Sequence, residues 1–160
     1  MANGGHRVWV IRSGDKDQAH SDFMDGRICL GWPRVGNLQE IEDNPKTFLI
    51  EYCRHYRSDG AQASRLRSSE LYRFVHKMDR SDFVIYSSRT DGQVHIGRVR
   101  GDYEYLPRRN SHYPHIREVR WASVFRREDL PLEVKFAIGR RSSLYQPRDE
   151  NLSAVQQILP

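Results

Sequence analysis

The hydrophobic period of this chain changes at Phe83, and that change limits its fold more than any other feature. Upstream the apolar spacing is helical. Asp43-Asn44-Pro45 supplies a cap with proline at the first helical position, and Phe48, Leu49, Tyr52, Cys53 and Tyr56 follow at helical intervals until Gly60. A second helix is expected over residues 62–77, with Ala63, Leu66, Leu71, Phe74, Val75 and Met78 as its core-facing stripe. From Phe83 the pattern turns to short β runs. Residues 83–86 and 93–100 flank Arg89-Thr90-Asp91-Gly92, and Asp-Gly between two β-rich runs is a hairpin signal. Residues 103–106 and 117–125 read as further strands, joined by a loop around Pro107 to Pro114.

Two strands also precede the helices. Val8–Ile11 and residues 28–32 are apolar runs bounded by Gly, Ser and Pro, and a short helix over residues 17–25 joins them and stops at Gly26. Near the other end, residues 130–139 read as a helix, 144–146 as a last short strand and 149–159 as a helix. About six short strands with helices inserted early give an α+β fold, a curved mixed sheet or small β-barrel flanked by helices.

The 160 residues are expected to form a single domain, large enough for a core without disulfide or metal. There is no apolar run of membrane-spanning length and no signal-peptide order at the N-terminus, so a cytoplasmic protein with no membrane partner is expected. Cys29 and Cys53 sit in apolar patterns and read as reduced core residues. The chain has 26 Lys+Arg against 21 Asp+Glu, and its only lysines are Lys16, Lys46, Lys77 and Lys135. Arginine grips phosphate bidentately and stacks on bases, so the excess points to nucleic acid; a codon bias toward arginine would produce it equally well.

Several aromatic residues stand at strand ends, where a ring can project from the scaffold. Trp32 ends a buried run just before Pro33 and is the first choice for a pocket wall, with a core or lid position as the alternative. Tyr103 and Tyr105 alternate, so one faces inward and the other away. Trp121 closes an alternating run and suits pocket or core, whereas Trp9 lies within an uninterrupted apolar strand and belongs to the core. Asp102 can accept from an exocyclic amine or simply form a turn after Gly101. Arg98, Arg100, Arg108, Arg109, Arg117 and Arg120 cluster around the β segment as candidate phosphate contacts, with a solvated basic face as the alternative.

Catalytic patterns are weak. His112 and His115 lack partners at zinc-ligand spacing, and no glycine-rich phosphate loop or nucleophile elbow occurs. Glu133-Val134-Lys135 has the form of a nuclease signature but falls in an expected helix. The chain therefore reads as non-enzymatic and without a cofactor, any catalysis belonging to another domain.

The stretch Val94-His95-Ile96-Gly97-Arg98-Val99-Arg100-Gly101-Asp102-Tyr103-Glu104-Tyr105 resembles a known family. So do His112 to Trp121, Val8 to Gly14, Leu30-Gly31-Trp32 and Ser81 to Tyr86. In that order they resemble the EVE-like branch of the PUA/EVE/YTH superfamily, over roughly residues 7 to 146. Such domains occur at the N-terminus of McrB-like and Mrr-like modification-dependent restriction proteins. The resemblance implies a PUA-like barrel and a restriction context, in which the domain directs an attached or associated nuclease or NTPase. A modified base of double-stranded DNA can be read at a groove edge or flipped into an aromatic pocket, and the strand-end aromatics and nearby arginines favour flipping. The resemblance also implies that the chain is the N-terminal module of a longer protein, and that Arg12-Ser13-Gly14 lines the base pocket. An ordinary turn with Ser13 or Asp15 as a cap is the alternative for that loop. Two rival readings stay open: a module of the same superfamily that reads modified RNA, and a small metal-dependent nuclease using Glu133 and Lys135. The modification itself, on cytosine C5 or adenine N6, is not legible.

Overall fold

The computed structural model describes residues 5–160. Its centre is one mixed, seven-stranded sheet. The strands are β1 (Val8–Ile11), β2 (Arg27–Leu30), β3 (Phe83–Ser87), β4 (Gln93–Val99), β5 (Glu104–Tyr105), β6 (His115–Arg126) and β7 (Leu144–Tyr145). Their spatial order is β2-β6-β4-β3-β1-β7, with β5 added beside β6. β1 and β3 run parallel, and the other pairs are antiparallel.

Both faces of this sheet are covered, which explains why β1 and β3 are apolar without interruption. Side chains alternate along a strand, so each strand feeds two cores. Trp9, Ile11, Val84 and Tyr86 meet Phe23 of α1 (His20–Met24), Phe48 and Tyr52 of α2 (Pro45–His55), and Leu71 and Phe74 of α3 (Ala61–His76). Val8, Val10, Phe83 and Ile85 meet Val134, Ala137 and Ile138 of α4 (Leu132–Ile138) and Val155 of α5 (Asp149–Gln156).

Strand β6 curls the sheet. Its first residues pair with β2 and β5, and residues 119–126 pair with β4. The register shifts between Ile96 and Gly97, a bulge that bends the pair. A Cβ at Gly97 would run into the Arg120 carbonyl, so only glycine permits this approach. The result is an α+β fold, a curled half-barrel flanked by helices.

The elements follow the sequence expectations with local differences. The first helix starts at His20, because Asp17 takes a positive φ of 59° and breaks the helical path. The strand expected over residues 28–32 stops at Leu30, and Trp32 turns into the left-handed region at φ 60°. Cys53 is exposed on α2, contrary to its expected core position. Leu66, placed in the core stripe by spacing, is 44% exposed. Among the described residues no helix is long and apolar enough to cross a membrane.

Candidate functional site

Where β1 and β2 leave the sheet, a cavity of about 380 Å³ opens, within the ~300–1,000 Å³ range of small-ligand sites. Arg12 and Gly14 come from the end of β1, and Leu30, Gly31 and Trp32 from the end of β2. Leu66, Arg67 and Glu70 of α3 close one side, with Tyr113 and residues 141–143 completing the wall. Gly14 has φ +95°, and a Cβ there would collide with Gln18 and the Tyr113 hydroxyl. Its lack of a side chain therefore keeps the rim open.

Trp32 holds a strained conformation for a bulky residue, since left-handed backbone costs such a side chain about 1–3 kcal/mol. Its carbonyl accepts a bond from His115 Nε2 at 3.3 Å. That donor role leaves His115 Nδ1 to accept from the Tyr103 hydroxyl at 2.8 Å, while Tyr103 accepts from the Leu38 amide at 3.1 Å. Burial lowers the His115 pKa to about 4 against the opposing bond to Trp32, which keeps the ring neutral and this relay intact. Tyr105 also stacks on His115. Tyr103 and Tyr105 thus both stack on His115, which bonds the Trp32 carbonyl, and neither lines the cavity.

The polar side of the cavity is built from distant segments. Glu70 is buried, and its Oε2 accepts from the Leu144 amide at 2.8 Å, tying the start of β7 to α3. Burial raises its pKa to about 7, although the Leu144 amide and nearby Arg73 act in the other direction. Arg67 donates to Asp59 at 2.6 Å and lies 5.9 Å from the centre of the Trp32 ring. Arg12 donates to the Arg141 carbonyl at 2.7 Å. Burial, with a smaller contribution from Asp22, raises the Cys29 thiol pKa, so this cavity-lining sulfur stays protonated. Aromatic faces beside groups that donate and accept suit a flat polar ring.

The other expected site residues lie elsewhere. Ser13 is buried, and its hydroxyl bonds to Asp17, which also takes bonds from Tyr86, Ser88 and Thr90. Burial alone would raise the Asp17 pKa, but the bonds from Ser13, Thr90 and Tyr86 outweigh it and hold the carboxylate well below its usual range. This knot fastens the β1–α1 loop to the β3–β4 hairpin. Trp121 is half-buried and donates to the Phe23 carbonyl at 2.6 Å, away from the cavity. Asp102 is exposed and forms a bidentate pair with Arg80, both bonds being 3.1 Å.

The six β-segment arginines separate into three groups. Arg98, Arg100 and Arg120 line a groove beside Ser81, where Arg98 lies 4.1 Å over the Phe83 ring. Arg108 and Arg109 are exposed in the β5–β6 loop. Arg117 is corrected outright as a phosphate contact, because it is buried and its guanidinium serves three carbonyls. It donates to Phe74 O at 3.0 Å, Met78 O at 2.5 Å and Gly101 O at 3.0 Å, closing the C-terminal end of α3.

Sequence reasoning placed Trp32 and Arg12 at the cavity but missed Tyr113, Arg67, Glu70 and Arg141. Only Gly31 and Gly14, small residues beside strand ends, hinted that a ring such as Tyr113 packs there. Glu133 and Lys135 lie on α4, where the lysine bonds the Glu128 carbonyl at 3.3 Å. Among the described residues no cluster of three His, Cys, Asp or Glu is placed to hold a metal.

A curled half-barrel with a cavity where strands run out defines an α+β domain built around a strand-end site. The chain belongs to the family described as "Domain of unknown function (DUF8426)", matched over residues 8–144. No curated protein matches it. Among solved structures it is similar to the YTH domain of the Zygosaccharomyces rouxii MRB1 protein, in complex with N6-methyladenosine RNA. That likeness has a TM-score of 0.47 and 11% identity, over 99% of this chain and 89% of the other.

Proposed function

We propose that the Trp32 cavity takes a modified nucleobase extruded from double-stranded DNA, and that the chain is a specificity module for an associated nuclease or NTPase. The observation that carries this reading is Trp32, held in left-handed backbone on the wall of a cavity of about 380 Å³ that Tyr113 also lines. Strained backbone clusters at ligand sites, and here a buried histidine–tyrosine relay maintains it. An extruded base needs stacking faces and hydrogen-bonding groups for its exposed edge. Trp32 and Tyr113 supply the first, while Glu70, Arg12, Arg141 and Ser142 line the same cavity with polar groups for the second. The basic charge and the resemblance to EVE-like domains point the same way.

The test is equilibrium binding to matched duplexes that are unmodified or carry 5-methylcytosine, its hydroxymethyl or glucosylated form, or N6-methyladenine, with an RNA of the same sequence as a further arm. One modified duplex should be preferred. Trp32→Ala should reduce that preference roughly tenfold to a hundredfold, the value of one base–aromatic stack. A preference that survives in a folded Trp32→Ala protein would rule out this cavity as the reader. Preference for the RNA arm would move the function to RNA.

A further inference from the structure

Beside the cavity runs a second groove, of about 410 Å³, that the sequence did not announce. Arg12, Arg89, Arg127, Arg140 and Arg141 line it, and no carboxylate does. Among the described residues none of the five takes part in a salt bridge, whereas Arg7, Arg54, Arg67, Arg80 and Arg126 each do. Like charges gathered without counter-ions oppose one another, so the arrangement suits a bound polyanion.

Four of the five guanidiniums are held by uncharged partners. Arg127 donates to Ser87 Oγ at 2.5 Å, Arg89 to the Asp15 carbonyl at 3.4 Å and Arg12 to the Arg141 carbonyl at 2.7 Å. Arg140 lies 4.9 Å over the Tyr145 ring. Each contact uses one part of a five-donor fork and leaves the rest free for a phosphate. Arg12 and Arg141 line both the groove and the Trp32 cavity, so the two adjoin at these side chains.

We infer that this groove is the track for the phosphodiester backbone of the strand whose base enters the cavity. Arg12 and Arg141 meet the phosphates beside that nucleotide, and Arg89, Arg127 and Arg140 meet those further along. The inference rests on the proposed base-reading role only for the identity of that strand. The arginine cluster itself stands on the groove's own charge and geometry. It also separates this end of the sheet from Arg98, Arg100 and Arg120. Arg98 pairs with Phe83 at the start of β3, whereas the groove begins at Ser87, about 13 Å further at ~3.3 Å per residue.

The experiment is binding of a labelled duplex with one modified base, and of its unmodified twin, across a salt series. Each phosphate contact contributes roughly 0.9 to the slope of log affinity against log salt. Arg127→Ala and Arg140→Ala should each lower that slope by about 1 and weaken both duplexes by the same factor, roughly tenfold. Arg127→Lys should keep the slope, and thermal melts should confirm that all variants fold. If the slope falls although neither duplex is preferred, the track stands and the base-reading role fails. Slopes unchanged in the groove variants but lowered in Arg98→Ala or Arg120→Ala would overturn the track, as would a wild-type affinity that ignores salt.

Discussion

Arg117 and the five groove arginines are the same residue type used in opposite ways. Arg117 is buried on β6, where its charge has been taken out of water and every direction of its guanidinium meets a carbonyl. Of the groove arginines, Arg12 and Arg89 follow β1 and β3, Arg127 follows β6, and Arg140 and Arg141 follow α4; none is in a salt bridge with a carboxylate among the described residues. One cation closes a helix and a turn, and the others create a field. A count of arginines therefore says little about nucleic-acid binding until register and burial divide them.

The largest effect that can break this comparison is on stability. Arg117→Ala removes one cation and leaves the carbonyls of Phe74, Met78 and Gly101 buried without it, at ~1–3 kcal/mol per unsatisfied group. A loss of about 3 kcal/mol or more is expected in urea denaturation. A loss below about 1 kcal/mol would mean that water satisfies these carbonyls and that Arg117 is not a structural cation.

A comparable effect should appear in the pH dependence of the cavity wall. Burial raises Glu70 from 4.5 to about 7, so between those values the folded chain keeps a proton that the unfolded chain has released. Its contribution to stability falls as pH rises through that window. Burial lowers His115 from 6.5 to about 4, so the unfolded chain binds the extra proton and stability rises with pH over that range. Each amounts to roughly 3 kcal/mol at ~1.4 kcal/mol per pKa unit, and the two offset each other. The contribution of Asp17 is confined below its ordinary value of 3.8 and does not interfere. Glu70→Gln should therefore change a nearly flat profile between pH 4.5 and 6.5 into one that rises by about 3 kcal/mol. A profile unchanged by the substitution would show that Glu70 is solvated in the cavity.

The smallest stability effect belongs to the groove. Arg127→Ala and Arg140→Ala should leave folding within about 0.5 kcal/mol of the parent, as surface changes usually do, while the proposed track predicts weaker binding of a duplex. A larger loss would make them structural, like Arg117.

Much of the fold was legible because its signals are local. The change of period at Phe83, the Asp91-Gly92 turn and the Asn44-Pro45 start each act over a few residues, and all appear where the sequence put them. The site was legible only at Trp32 and Arg12, which stand at strand ends. Tyr113, Glu70 and Arg141 reach the same cavity from segments far apart in the chain, brought together by the β2–β6 and β1–β7 pairings and the packing of α3. Leu66 has core spacing, yet it is exposed because the cavity lies where a packing partner would be. The arginine cluster around β6 put Arg117 among the phosphate contacts, because nothing local to β6 reveals that the end of α3 lies against it.

The central claim is that a base leaves the duplex and enters the Trp32 cavity. The direct measurement is fluorescence of 2-aminopurine placed next to the modified base, because a stacked analogue is dark and one that loses its neighbour brightens. Placing the probe at the neighbouring position avoids quenching by Trp32 itself. Saturating wild-type protein should brighten the modified duplex, and Trp32→Ala should lose most of that signal. A probe that stays dark in a saturated complex, while modified DNA is still preferred, would contradict extrusion and place the reading in the major groove.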